Sequence, residues 1–331
     1  MSVGEYMKPQ ERLQHFIDES LSESNVCSYP GCGKRAIRSH VLQQEGPLRQ
    51  IALDGKVLCV DNYRGLLRYA RRMFDANSII PPDLSIIGID QATTYPGFCE
   101  DHDIKVFESI EHGNQLVVGD MKQLVAFYRR VFFHMMHVRK QWLLVGEKLA
   151  RDHDTEDLKE MRSVLIPDFI ALSTVFVQRT WSEGFESHLK YVWRVINRNV
   201  EVACAGSILA ATADCSAGAF VASALPFATF SLIPEGNKTH ALLIWDSGFD
   251  SDVQGMRRQM MSNNASDLCR AINELTFVKC SDYCVNPILW ANCSEQERSI
   301  VLNNLRYDVM RSGGSKIPNI IKFSNDDLVV A

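Results

Sequence analysis

Two short, distant segments, Cys27-Ser28-Tyr29-Pro30-Gly31-Cys32 and Cys99-Glu100-Asp101-His102, constrain this chain more than any other feature. Each offers two metal-ligating side chains, and neither completes a coordination shell alone. Together they supply three thiolates and an imidazole, a full tetrahedral set for zinc. A fold that uses them must bring both segments to one point. The local chemistry agrees. Tyr29-Pro30-Gly31 is turn sequence that folds Cys27 and Cys32 towards each other. Pro96-Gly97 turns the chain just before Cys99, and a helix is predicted to follow. Ligands three apart at a helix start face the same way.

The chain has 331 residues, 46% hydrophobic and 23% charged. That balance fits a soluble globular protein with room for more than one domain. No apolar run is long enough to span a bilayer. The start, Met1-Ser2-Val3-Gly4-Glu5-Tyr6-Met7-Lys8, lacks a signal-peptide core, so a cytoplasmic location with reduced thiols is expected. Reduced, clustered cysteines favour metal over disulfides. Cys280, Cys284 and Cys293 lack an obvious fourth ligand and read as small buried hydrophobes.

The formal net charge of -5 argues against a surface coated for non-specific DNA binding. Charge is uneven, however. Between Cys27 and Phe74 there are nine Lys/Arg and three Asp/Glu. Arg64, Arg68, Arg71 and Arg72 fall on one face of a predicted helix. An arginine face beside a zinc site suits a phosphate backbone; a solvated helix face is the alternative. Arg38 and Gln43 are further candidates for nucleic-acid contact.

The periodicity predicts helices over 6–22, 41–52 and 103–110, with a hairpin over 51–60 turning at Asp54-Gly55. Pro81-Pro82 breaks the chain before a short strand over 86–89. Apolar residues recur at helical spacing from Met121 to about Arg151, and a second helical stretch runs from Glu156 to about Asn197, interrupted at Pro167. The two make an antiparallel pair that packs on the zinc module, joins the halves, or forms a homodimer or partner interface. His134 and His137, at i and i+3, read as packing rather than as a metal pair. Strands are predicted over 200–209, 226–234 and 239–246, the latter two joined by a turn at Pro234-Glu235-Gly236-Asn237. Helices follow over 251–274 and 294–310. The expected class is α+β: a zinc module over 1–115, a long helical hairpin over 116–198, and a mixed α+β domain over 199–331.

Ser39-His40 lies eight residues past Cys32, within Ile37-Arg38-Ser39-His40-Val41-Leu42-Gln43. Here the chain resembles the HNH (His-Me finger) nucleases, in which a treble-clef zinc module holds two knuckles around a hairpin and a helix. The resemblance covers residues 26 to 112. It implies His40 as general base and Asp103 as ligand to a catalytic Mg2+ or Mn2+, with zinc as the structural ion. Departures are plain. Ser39 precedes the histidine where the family has Asp or His, Asn62 is a poor match for the central Asn, and His112 is not at the family spacing. His40 can equally brace the knuckle, and Asp103 can equally be a helix N-terminal acid. The pattern Ser39-His40…Gln43, then Ala92-Thr93…Pro96-Gly97-Phe98-Cys99…His102-Asp103, is also similar to that of uncharacterised bacterial proteins, which assigns no activity. Two functions follow: a metal-dependent nuclease, by analogy in bacterial defence, or a non-catalytic zinc-stabilised module that binds nucleic acid or a protein. A ligand-sensing or active C-terminal domain is a third, with no constellation of residues to rank it.

Overall fold

A computed structural model describes residues 25–60, 84–111, 113–152, 174–209, 226–280, 282–306 and 316–329. The expected helix over 6–22, the arginines Arg64, Arg68, Arg71 and Arg72, Asn62, Pro81-Pro82, His112 and Pro167 lie outside the described residues.

The class is mixed α+β. Its centre is a seven-stranded sheet in the order β3-β2-β9-β6-β7-β8-β5. The strands are β2 (Lys56–Val60), β3 (Leu84–Gly88), β5 (Leu189–Ile196), β6 (Val202–Leu209), β7 (Pro226–Glu235), β8 (Lys238–Asp246) and β9 (Tyr283–Val285). Every pairing in it is antiparallel. A separate ribbon pairs β1 (Arg38–His40) with β4 (Thr94–Pro96). The large sheet takes β2 and β3 from the first third of the chain and β9 from the last. One hydrogen-bonded sheet therefore crosses the expected boundaries at 115 and 198.

Both faces of this sheet are covered. Leu243 and Trp245 of β8 face one core with Val253, Met260, Leu268 and Ile272. Leu242 and Ile244 face the other with Phe127, Tyr128 and Phe132. Strands buried on both sides read as continuous apolar runs rather than alternating ones, which is why His240-Ala241-Leu242-Leu243-Ile244-Trp245 is so dense. The helices on the first face are α3 (Asp250–Met260), α4 (Ala265–Glu274), α5 (Pro287–Asn292) and α6 (Glu295–Arg306). Those towards the second are α1 (Glu100–Phe107) and α2 (Met121–Asp152). Among the described residues no helix is long and apolar enough to cross a membrane.

Several expectations change. Leu189–Ile196, read as the end of a second long helix, is strand β5, paired along its length with β8. Gly184 takes φ 75°, and a short helical turn follows at Phe185–His188 before the strand begins. The expected antiparallel partner of α2 is thus replaced at its C-terminal end by a strand. The apolar face of α2, from Leu124 to Met135, is buried within the chain. The helix expected over 251–274 is two helices, because Asn264 accepts from the amides of Ser266 and Asp267 and starts α4 afresh. Only Gln44–Ile51 of the helix expected over 41–52 is helical, and Gly46 leaves helical geometry within it. The Asp54-Gly55 turn forms, both residues taking positive φ. Its outgoing arm β2 pairs with β3 and β9 instead of folding back on a long partner.

Asn273 in α4 is fully buried and makes four hydrogen bonds. It donates to the carbonyls of Cys269 and Ile321 and accepts from the amides of Ile320 and Ile321. Asn273→Ala leaves two backbone amides unpaired, so we expect a loss on the order of 3 kcal/mol. A urea midpoint close to that of the wild type would contradict this.

Candidate metal centre

Cys27 and Cys32 sit in a tight hairpin. Its arms are joined by a Val26–Arg35 bridge and by Cys27 N–H donating to Lys34 O at 3.0 Å. At the tip, Cys32 N–H donates to Tyr29 O at 3.0 Å, which closes a four-residue turn. Gly31 there takes φ 72°, a position that favours glycine after Pro30. The second segment runs alongside. Ser28 N–H donates to Gly97 O at 2.9 Å and Ile37 N–H to Phe98 O at 2.7 Å. The β1–β4 ribbon continues this pairing, with Ser39 opposite Tyr95 and His40 opposite Thr94. Cys99 then caps α1, its carbonyl accepting from the amides of His102 and Asp103.

The four ligand atoms of Cys27, Cys32, Cys99 and His102 all lie within 4.8 Å of one another, so the group can hold a metal ion. With Zn–S near 2.3 Å and Zn–N near 2.0 Å, tetrahedral edges are about 3.8 Å between sulfurs and about 3.5 Å between sulfur and nitrogen. Cys32 Sγ and Cys99 Sγ are 3.9 Å apart. His102 Nδ1 lies 3.5 Å from Cys27 Sγ and 3.3 Å from Cys99 Sγ. These separations fit zinc and lie far beyond a disulfide bond. Burial pushes the Cys27 thiol up to about 11. A backbone hydrogen bond from Lys34 pulls the Cys32 thiol down. A metal that replaces both protons removes this imbalance.

The cluster is braced from outside. The Tyr29 ring stacks on His102 at 3.8 Å and 6°. Trp181 tilts against Tyr29 at 4.8 Å. Arg129 lies over Trp181 and donates Nε and Nη2 to Thr180 O. Lys34 and Asp101 pair across the two halves at 2.6 Å. That bridge is exposed and contributes little.

Next to the metal centre stands a second, mostly buried group. His40 ends β1, and its Nε2 lies 3.1 Å from Ile89 O. A carbonyl only accepts, so Nε2 carries the hydrogen and Nδ1 keeps the lone pair. Burial holds the imidazole below its ordinary pKa; the Ile89 hydrogen bond, Glu111 and Asp103 act the other way. Asp103, on α1, is pushed up by burial and drawn back by Ser39, Arg130 and His40. The Ser39 hydroxyl lies beside this carboxyl without closing a hydrogen bond of good geometry. Arg130 of α2 pairs with Glu111 and packs over the Phe107 ring.

The structure therefore gathers the four expected metal ligands, and beside them places His40 and Asp103 near each other. Arg38 is exposed on β1. Gln43 lines a cavity of about 10 Å³ with Arg130, room for a single water. Arg64, Arg68 and Arg72 lie outside the described residues. His134 and His137 are buried against Tyr95. Cys280, Cys284 and Cys293 are buried too. Among the described residues no second group of three His, Cys, Asp or Glu side chains converges as a metal cage. No protein-family model, curated protein or solved structure matches the chain.

Sequence reasoning missed Tyr29 as a ring brace, Trp181 as its support and Arg130 as the charged neighbour of Asp103. Tyr29 carried a signal, since it lies inside the turn between two ligand cysteines, and its ring stacks on His102. Arg130 carried none.

Proposed function

We propose that residues 25–110 form a treble-clef-like zinc module and that the protein is an HNH-like phosphodiester hydrolase acting on nucleic acid. The observation that carries this reading is His40. Its Nε2–H is fixed by a backbone carbonyl, its Nδ1 is left as a base, and Asp103 stands near it at the start of the helix that follows the ribbon. In this reading zinc in the four-residue group holds strand and helix together. His40 Nδ1 takes the proton of a water molecule as that water attacks phosphorus. Mg2+ or Mn2+ would stabilise charge on the phosphate oxygens. Such ions need only one or two protein carboxylates besides substrate and water, and Asp103 offers one. Arg38 and Gln43 are the described candidates for holding the nucleic-acid strand.

The test is an assay of zinc-loaded protein on single- and double-stranded DNA and RNA, with Mg2+ or Mn2+ added. Cleavage that stops when those ions are withheld supports the reading. Intact substrates across the whole panel reject it.

A second reading keeps the zinc and drops the chemistry: a binding module for nucleic acid or a protein. The Arg130 guanidinium favours it, because it already supplies positive charge beside Asp103. Binding to nucleic acid would then weaken steeply with salt, while no cleavage appears.

A further inference from the structure

Arg130 lies on α2, outside the ribbon and helix that carry His40 and Asp103. It is 2% exposed, so its guanidinium is removed from solvent. Two contacts fix it: Nη2 donates to Glu111, and its plane lies 4.2 Å over the Phe107 ring. That leaves Nε and Nη1, on opposite sides of the guanidinium, without a hydrogen-bond partner among the described residues. Asp103 Oδ1 and Ser39 Oγ are buried and unpartnered in the same way. The three groups are neighbours: Phe107, under the guanidinium, lies one helical turn past Asp103 on α1, and Tyr95, opposite Ser39 in the ribbon, donates its hydroxyl to Arg130 O. Two donors, one acceptor and one hydroxyl that serves as either are a complementary set. Buried polar atoms are nearly always satisfied, and a charged guanidinium N–H donates strongly to a carboxylate oxygen.

From this juxtaposition we infer that Arg130 is a positioning residue for the candidate centre. With Ser39, it holds the inner oxygen of Asp103, directly or across one ordered water. Asp103 as a whole remains partly exposed. Fixing Oδ1 inwards leaves the other oxygen to face the exterior, where His40 and a divalent ion would work. The inference rests on the hydrolase reading for its purpose, but the placement of Asp103 can be tested without it. It also links the centre to the main body of the fold, because α2 packs on the seven-stranded sheet.

The test uses the full chain, zinc-loaded, as wild type, Arg130→Met and Arg130→Lys. Methionine keeps the apolar stem and removes the fork; lysine keeps the charge and loses the fork. Losing an outer residue that orients a ligand weakens metal affinity or activity on the order of 10- to 100-fold. For Arg130→Met we expect kcat to fall and half-saturating Mn2+ to rise by such a factor, with KM for DNA unchanged. Crystal structures give the independent readout: the Asp103 carboxyl should leave its wild-type position in Arg130→Met. If Asp103 stays in place, or Mn2+ dependence is unaltered in an active enzyme, the inference is overturned. If the wild type cuts nothing, the hydrolase reading fails, and the position of Asp103 still decides the role of Arg130. Should the methionine variant not fold, Arg130→Lys answers the same question, because it too lacks the planar, fixed array of guanidinium donors.

Discussion

Cys99→Ser should yield a protein that no longer retains zinc and melts well below the wild type. Cys99 has two roles. Its thiol lies within reach of both Cys32 Sγ and His102 Nδ1, and its carbonyl starts α1. A serine preserves the cap and removes the ligand, so the variant isolates the metal. Structural zinc in small modules is worth about 10–16 kcal/mol of apparent binding energy near neutral pH, and much of that appears as folding energy. Here the module also rests on α2 and the large sheet, which have cores of their own. The loss should therefore unfold the 25–40 and 94–107 segments before the sheet. We expect about one zinc per chain in the wild type and nearly none in the variant. The melting temperature should drop by roughly 10 °C or more. Strong chelators should produce the same shift in the wild type and leave Cys99→Ser unaffected. Equal zinc content in the two proteins, or coincident melting curves, would refute the metal centre.

On the proposed hydrolase reading, His40→Ala should abolish cleavage while leaving the bound metal and the melting curve nearly intact. Removing a general base lowers rates by roughly 10²- to 10⁴-fold. His40 is only partly buried and makes one hydrogen bond, to Ile89 O, so its structural contribution is small beside its proposed chemical one. The pH profile gives a second check. Only the neutral imidazole accepts a proton, so activity is lost as pH falls through the folded pKa. Burial lowers that value below the ordinary 6.5. The acid limb should accordingly lie below pH 6.5, with a plateau through neutrality. The same depression means folding favours the neutral ring: its stabilising effect is full above the unfolded value and lost as pH falls through 6.5 and below. An acid limb at or above 6.5, or full activity in His40→Ala, would remove this residue from the mechanism.

The convergence of the four candidate metal ligands was legible because it depends on local chemistry: a turn that needs glycine at Gly31, and two ligand-type side chains at a helix start. The β7–β8 hairpin was legible for the same reason, through Gly236. What escaped was non-local. Leu189–Ile196 is dense in apolar and aromatic residues because both sheet faces are covered, and density without clean alternation fits a buried helix as well as a strand. The joining of β2 to β9 leaves no trace in sequence, since it pairs segments more than two hundred residues apart through a three-residue strand. Arg130 reads as one more surface arginine on a helix; only packing shows that its head is enclosed.

That three-residue strand has a consequence for how the chain is made. β9 lies between β2 and β6 and is the single described link between the two parts of the sheet. During synthesis the four candidate metal ligands emerge by residue 102, early enough to bind an ion and close their turns. β2 must then wait until residues 283–285 leave the ribosome before its second edge is covered. Most of the polypeptide is translated with that edge open, a non-local closure that slows folding and invites pairing with the wrong strand. A chain cut before residue 283 would keep its metal-binding half and its large hairpin, yet have nothing to stitch them into one sheet.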